Sequence, residues 1–103
     1  MKRKVVISKT AEKKLDNLFD YLLKNWSKKV KDDFVTKLDH CIELIRTQPE
    51  IFPESKKRKQ LRRCVITKQT IMYYRFDSKR INIVTLFDTR QDPNELQSQI
   101  QKR

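Results

Sequence analysis

The side chains best suited to chemistry in this 103-residue chain are cations. Lys56-Lys57-Arg58-Lys59 form one run, Arg62 and Arg63 follow closely, and Arg75 and Arg90 stand further on. Lysine and arginine grouped in this way can bind a polyanion or stabilise negative charge developing on a phosphate. Groups able to move a proton are scarce. His40 is the only histidine, Tyr73 and Tyr74 are adjacent, and Asp88 and Glu95 are carboxylates close to Arg90. One histidine and two cysteines, Cys41 and Cys64, cannot make a standard zinc site. The chain has no glycine, which excludes phosphate-cradling loops of the P-loop or dinucleotide type and the EF-hand. No cofactor or metal is expected, so any reaction would run on cations and geometry.

The net charge of +12 points to a polyanionic or acidic partner. It is unevenly spread. Residues 1–54 carry 12 basic and 9 acidic side chains, a balance of +3, whereas residues 55–103 carry 13 and 4, a balance of +9. The second half is therefore the electrostatic face and the first half an ordinary solvated scaffold. A chain of this length is expected to be one domain, residues 1–103, with enough apolar surface for one core. No apolar run is long enough to span a membrane, and the basic start is followed by only Val5-Val6-Ile7, too little for a signal peptide. The cysteines lack redox or metal spacing and read as small hydrophobes of a reducing cytoplasm, although a Cys41–Cys64 disulfide can be drawn.

The elements that must position these cations follow from periodicity. Lys4 to Ile7 is β-branched and reads as a strand. Ser8 or Thr10 can cap a helix whose apolar face is Ala11, Leu15, Leu18, Phe19, Leu22 and Leu23. Asn25-Trp26-Ser27 breaks it, and Ser27 can cap a second helix with the stripe Val30, Phe34, Leu38, Cys41, Ile42 and Ile45, stopped by Pro49. Trp26 is expected to plug the end of the core. After a loop, three strands are expected at Leu61–Thr67, Thr70–Phe76 and Arg80–Phe87. In the last, Ile81, Ile83, Thr85 and Phe87 alternate with Asn82, Val84, Leu86 and Asp88. Pro93 suits the first turn of a short terminal helix. The expected fold is α+β, an N-terminal strand and an antiparallel helical hairpin packed on a twisted, mainly antiparallel four-stranded sheet, ending in that short helix.

This order, with Ser8-Lys9-Thr10-Ala11 opening the first helix, Ile71-Met72-Tyr73-Tyr74-Arg75 in a strand, and Ile83-Val84-Thr85-Leu86-Phe87-Asp88-Thr89-Arg90-Gln91-Asp92-Pro93 closing the sheet, resembles the RelE/ParE superfamily of bacterial type II toxins. The resemblance implies a toxin held in check by a cognate acidic antitoxin laid over the sheet and hairpin, alone or within a homodimer or hetero-oligomer. It also implies one of two targets, the ribosome with its mRNA for RelE-like members or DNA gyrase for ParE-like, plasmid-stabilising ones. Asp88 stands where the family often has a histidine.

A RelE-like nuclease would need a base for the 2′-hydroxyl, cations for the pentavalent phosphate and a donor for the leaving oxygen. Arg90 matches the arginine that the resemblance places at the scissile phosphate, with Arg62 and Arg75 beside it. The terminal tyrosine or histidine of such enzymes is missing: no tyrosine follows Tyr74, and His40 lies inside the second helix. The ParE-like reading is therefore preferred, with a mRNA endoribonuclease as the alternative and a non-toxic basic nucleic-acid-binding module as a third. Lys56, Lys57, Arg58, Lys59, Arg62, Arg63 and Arg90 are expected to bind nucleic acid or antitoxin. The same residues also have plainer roles open to them. The lysine run can be a solvated loop, and Arg90 can brace its turn through Asp88 or Asp92. Alternation sends one of Tyr73 and Tyr74 into the core and the other onto the sheet face.

Overall fold

The computed structural model describes residues 2–56 and 60–89. Its elements run β1 (Lys4–Ile7), α1 (Lys9–Asn25), α2 (Lys28–Thr47), β2 (Arg62–Val65), β3 (Thr70–Phe76) and β4 (Arg80–Asp88). The sheet has the order β1-β4-β3-β2. β1 lies parallel to β4, and the other pairings are antiparallel. The expected short terminal helix lies outside the described residues.

Serines begin both helices for the expected reason. Ser8 and Ser27 have extended backbones, and their hydroxyls accept the N–H of Ala11 at 3.0 Å and of Val30 at 3.1 Å. Trp26 caps the end of α1 by donating its N–H to Leu22, with φ −127° and ψ −100°. With that cap Trp26 is left 56% exposed, so it does not plug the core. The hairpin closes instead through Phe19 and Phe34, edge to face at 6.1 Å. Leu23 is exposed as well. The remaining apolar stripe packs on one face of the sheet, where Leu15, Leu18, Leu22, Phe34, Leu38 and Ile45 meet Cys64, Met72, Tyr74, Ile81, Ile83 and Leu86.

β2 is shorter than the expected Leu61–Thr67. Thr67 and Thr70 exchange backbone bonds, and the Thr67 hydroxyl accepts the N–H groups of Gln69 and Thr70 at 3.1 and 3.2 Å, which makes 66–69 a turn. The loop before β2 pairs along its outer edge: Ser55 donates its N–H to Leu61, and Arg63 donates its own to Pro53.

Strict alternation fails in β4. Tyr74 stands opposite Ile83, but Tyr73 stands opposite Thr85, so Val84 is an extra residue, a β-bulge. Beyond it the two faces exchange. Leu86 joins the helix-side core and Phe87 the opposite face, the reverse of the expected pattern. Ser8 anchors this point, since its N–H bonds the Ile83 carbonyl at 3.0 Å and its hydroxyl donates to the Val84 carbonyl at 2.6 Å. Replacing Ser8 by Ala removes a helix cap and the bond to the bulge together. It should cost about 1–3 kcal/mol, read as a lower urea midpoint with unchanged slope.

Candidate functional site

The sheet has a helix-covered face and an opposite face, and its registers decide which cation stands on which. Arg62 pairs with Tyr74, a core residue, whereas Arg63 pairs with Tyr73, which pairs in turn with Thr85. Neighbours in sequence thus go to opposite faces. Arg75, opposite Asn82, shares the face of Arg63 and is exposed. Cβ atoms on such a diagonal, Arg63 to Arg75, lie roughly 7–8 Å apart. Lys4 and Arg80, paired between β1 and β4, have the same parity. In the four strands this face therefore carries Lys4, Arg63, Arg75 and Arg80 and no carboxylate.

Its centre is apolar. Leu61, Tyr73 and Phe87 form a second buried cluster flanked by Ile71 and Val84. Tyr73 and Phe87 meet edge to face at 5.7 Å, and the Lys14 ammonium, from α1, lies 4.3 Å from the Phe87 ring centre. Thr85 is buried in the same row with its hydroxyl unpartnered among the described residues. A positive rim around an aromatic centre can bind a polyanionic strand or an acidic, partly apolar peptide.

Arg62 is placed elsewhere. Its guanidinium donates to the carbonyls of Phe52 at 2.6 Å and Glu50 at 3.4 Å, and lies 5.7 Å from the Phe76 ring centre. Its cross-strand partner Tyr74 donates its hydroxyl to the Pro49 carbonyl at 2.7 Å. Together they strap the loop after α2 to the sheet. Burial pushes the Tyr74 hydroxyl up to about 12, outweighing the pull of Arg62 in the other direction.

Of the other sequence-derived residues, Lys56 is exposed at the end of the described loop, and Lys57, Arg58, Lys59 and Arg90 lie outside the described residues. Asp88 is buried and accepts the Thr70 hydroxyl at 2.5 Å. His40 is exposed on α2. Sequence reading missed Lys4, Lys14 and Arg80, which are remote in the chain and join this face only through the β1–β4 pairing and the packing of α1.

A family model described as the ParE toxin of type II toxin-antitoxin system, parDE, matches residues 5–93, and the chain belongs to that family. No curated protein sequence matches significantly. Among solved structures, the chain is similar in fold to the chromosomal ParDE toxin-antitoxin system from P. aeruginosa, with TM-score 0.69 and 11% identity over 84% of this chain and 95% of that one. It is also similar to the E. coli DinJ-YafQ complex, with TM-score 0.59 and 13% identity over 87% and 96%. The YoeB dimer from Staphylococcus aureus gives TM-score 0.59 and 16% identity over 84% and 97%. Both ParE and RelE-like toxins thus share this fold.

The two faces predict different mutational behaviour. Arg62→Ala frees two loop carbonyls and should cost about 1–3 kcal/mol in urea unfolding, whereas Arg75→Ala should stay within about 0.5 kcal/mol. Tyr74 also sets an alkaline limit. Its folded pKa lies above the unfolded value, so its contribution is complete below about pH 10 and lost as pH rises towards 12. A tyrosinate absorbance titration should show one of the three tyrosines ionising last, and Tyr74→Phe should remove that step.

Proposed function

We propose that this type II toxin is ParE-like, acting on DNA gyrase rather than cutting mRNA. The observation that carries the reading is a cationic sheet face without a matching proton-transfer group among the described residues. Tyr73 is packed against Phe87, Tyr74 is on the far side and held neutral by burial, and His40 is exposed on α2. The sequence beyond Tyr74 adds neither tyrosine nor histidine. The family model matching residues 5–93 points the same way.

The partner that suits this surface is a cognate acidic antitoxin. Lys4, Arg63, Arg75 and Arg80 offer it positive charge, and Lys56, Lys57, Arg58, Lys59 and Arg90 add cations from the C-terminal half of the sequence. The solved relatives include toxins held in complexes, ParDE and DinJ-YafQ, which supports such a partner. A cytoplasmic site of action follows from either target.

The second reading, an mRNA endoribonuclease, is favoured by one observation, the diagonal placement of Arg63 and Arg75 on an open face suited to a phosphodiester backbone. Arg90 would then stabilise the scissile phosphate, with removal costing on the order of 10²–10³ in rate. One pair of assays separates the readings. Purified toxin should abolish supercoiling by gyrase at saturation while primer extension on translated mRNA finds no new ends. Full gyrase activity at saturating toxin would overturn the ParE-like assignment, and toxin-dependent mRNA ends would replace it with the nuclease.

A further inference from the structure

The two edges of the sheet are treated differently. Along β2 the preceding loop supplies partners: Ser55 donates its N–H to the Leu61 carbonyl at 2.7 Å, and Arg63 donates its own to the Pro53 carbonyl at 3.0 Å. β1 is covered only at its start. Lys4 and Ser8 donate their N–H groups to the carbonyls of Lys79 and Ile83, each at 3.0 Å, so alternate residues of this strand face β4. Arg3, Val5 and Ile7, the residues between, therefore direct N–H and C=O away from the sheet. Arg3 shows it: its N–H goes to the Arg46 carbonyl at 3.2 Å, and its carbonyl accepts from Arg46 Nε at 2.8 Å. Arg46, in the last turn of α2, thus closes the edge at Arg3. Val5 and Ile7 have no outward backbone partner among the described residues.

The side chains along this edge suit a partner of one kind. Val6 and Ile7 are exposed, at 39% and 42%, which is unusual for apolar residues on an unpaired strand edge. Residues 2–9 carry Lys2, Arg3, Lys4 and Lys9 and no carboxylate. Glu43 of α2 is already shared by Lys2 and Arg46. Lys4 is exposed and stands beside Arg80 of β4.

We propose that Val5–Ile7 is a docking edge for an extended acidic segment of a partner protein, which adds a fifth strand to the sheet outside β1. The outward N–H and C=O groups of Val5 and Ile7 supply the main-chain bonds, and the side chains flanking them supply the selection. Val5 and Ile7 share the parity of Ile81 and Ile83 on the helix side, so residues of the added strand on that side are apolar. On the other side the added strand passes Lys4, with Arg80 behind it, and a carboxylate belongs there. The segment recognised therefore alternates apolar and acidic residues. A second copy of this chain is the poorer occupant, because β1 against β1 would bring two sets of Lys2, Arg3 and Lys4 together on chains of net charge +12. The edge is distinct from the aromatic sheet face, and the inference holds for either target.

The test uses the full chain and a short, end-blocked, fluorescent peptide in which glutamate and valine alternate. It should bind saturably at low salt, and the same peptide N-methylated throughout, equal in charge but unable to join a ladder, should bind about tenfold more weakly. Amide exchange followed by NMR should slow at Val5 and Ile7 on binding, while Val6, whose N–H faces β4, changes little. Ile7→Pro removes one outward donor and no bond to β4, so it should weaken binding roughly three- to tenfold with an unchanged circular dichroism spectrum. Binding that leaves exchange at Val5 and Ile7 unaltered would put the peptide on the cationic sheet face and overturn the proposal. Equal affinity for the N-methylated peptide, or no saturable binding, would do the same. Slow exchange at Val5 and Ile7 in concentrated protein alone, with a dimer in sedimentation, would assign the edge to a second copy instead. The wild-type exchange measurement stands even if Ile7→Pro fails to fold.

Discussion

The bulge at Val84 is the constraint on which the rest of the arrangement depends. Before it, Ile81 and Ile83 face the helices; after it, Leu86 does. One inserted residue therefore lets both halves of β4 feed the same core while moving Phe87 to the opposite face, against Tyr73. A bulge also frees backbone groups from the ladder, and here the Val84 carbonyl is taken by the Ser8 hydroxyl. β1 pairs with β4 only as far as Ile83, so the chain leaves the sheet and starts α1 where the ladder changes register. Helix start, strand end and face exchange are thus one structural event. The aromatic centre of the cationic face exists because of it.

A second constraint comes from the connection after α2. Loop carbonyls brought against a sheet lose water and need donors. The cross-strand pair Arg62 and Tyr74 supplies them, with three bonds to Pro49, Glu50 and Phe52. A guanidinium suits this role because it spreads several donors in one plane and stays charged. Phe76 presents its ring to Arg62 on one approach and to Arg3 on another, at 5.7 and 5.5 Å, so one ring serves two cations. Arg62 is in this way committed to the fold, while Arg63, its neighbour, is available to a partner.

Period-based reading recovered what period controls. Both helices, their serine caps, β3 and the division of Tyr73 from Tyr74 follow from local spacing and capping chemistry, and each is in place. The misses fall where a tertiary contact overrides local pattern. The Val84 bulge leaves no mark in Ile81-Asn82-Ile83-Val84-Thr85-Leu86-Phe87-Asp88, which alternates acceptably in either register. Trp26 looks like core by type, but its position is set by a helix cap. Among the cations the difficulty is parity. Arg62 and Arg63 are alike in sequence, and only the pairing with Tyr74 and Tyr73 separates a loop clamp from a surface charge. Lys4, Lys14 and Arg80 could not be read as part of the same face without the parallel β1–β4 pairing, a contact between the two ends of the chain.

The uneven charge has a thermodynamic consequence. Exposed lysines and arginines on one face repel each other, and a net charge of +12 on so small a chain works against the compact state. Part of the charge in the N-terminal half is relieved locally. Lys28 and Lys29 pair with Asp32 and Asp33 one turn on, and Lys2 and Arg46 share Glu43. The sheet face has no such carboxylates among its strand residues, and its positive field is left for whatever binds there. An acidic partner would gain the Coulombic attraction and release that self-repulsion together, so its binding would also raise the stability of the fold. Charge gathered on one face, with ion pairs among the described residues confined to α2 and its contact with the N-terminus, is the arrangement expected of a protein built to be covered.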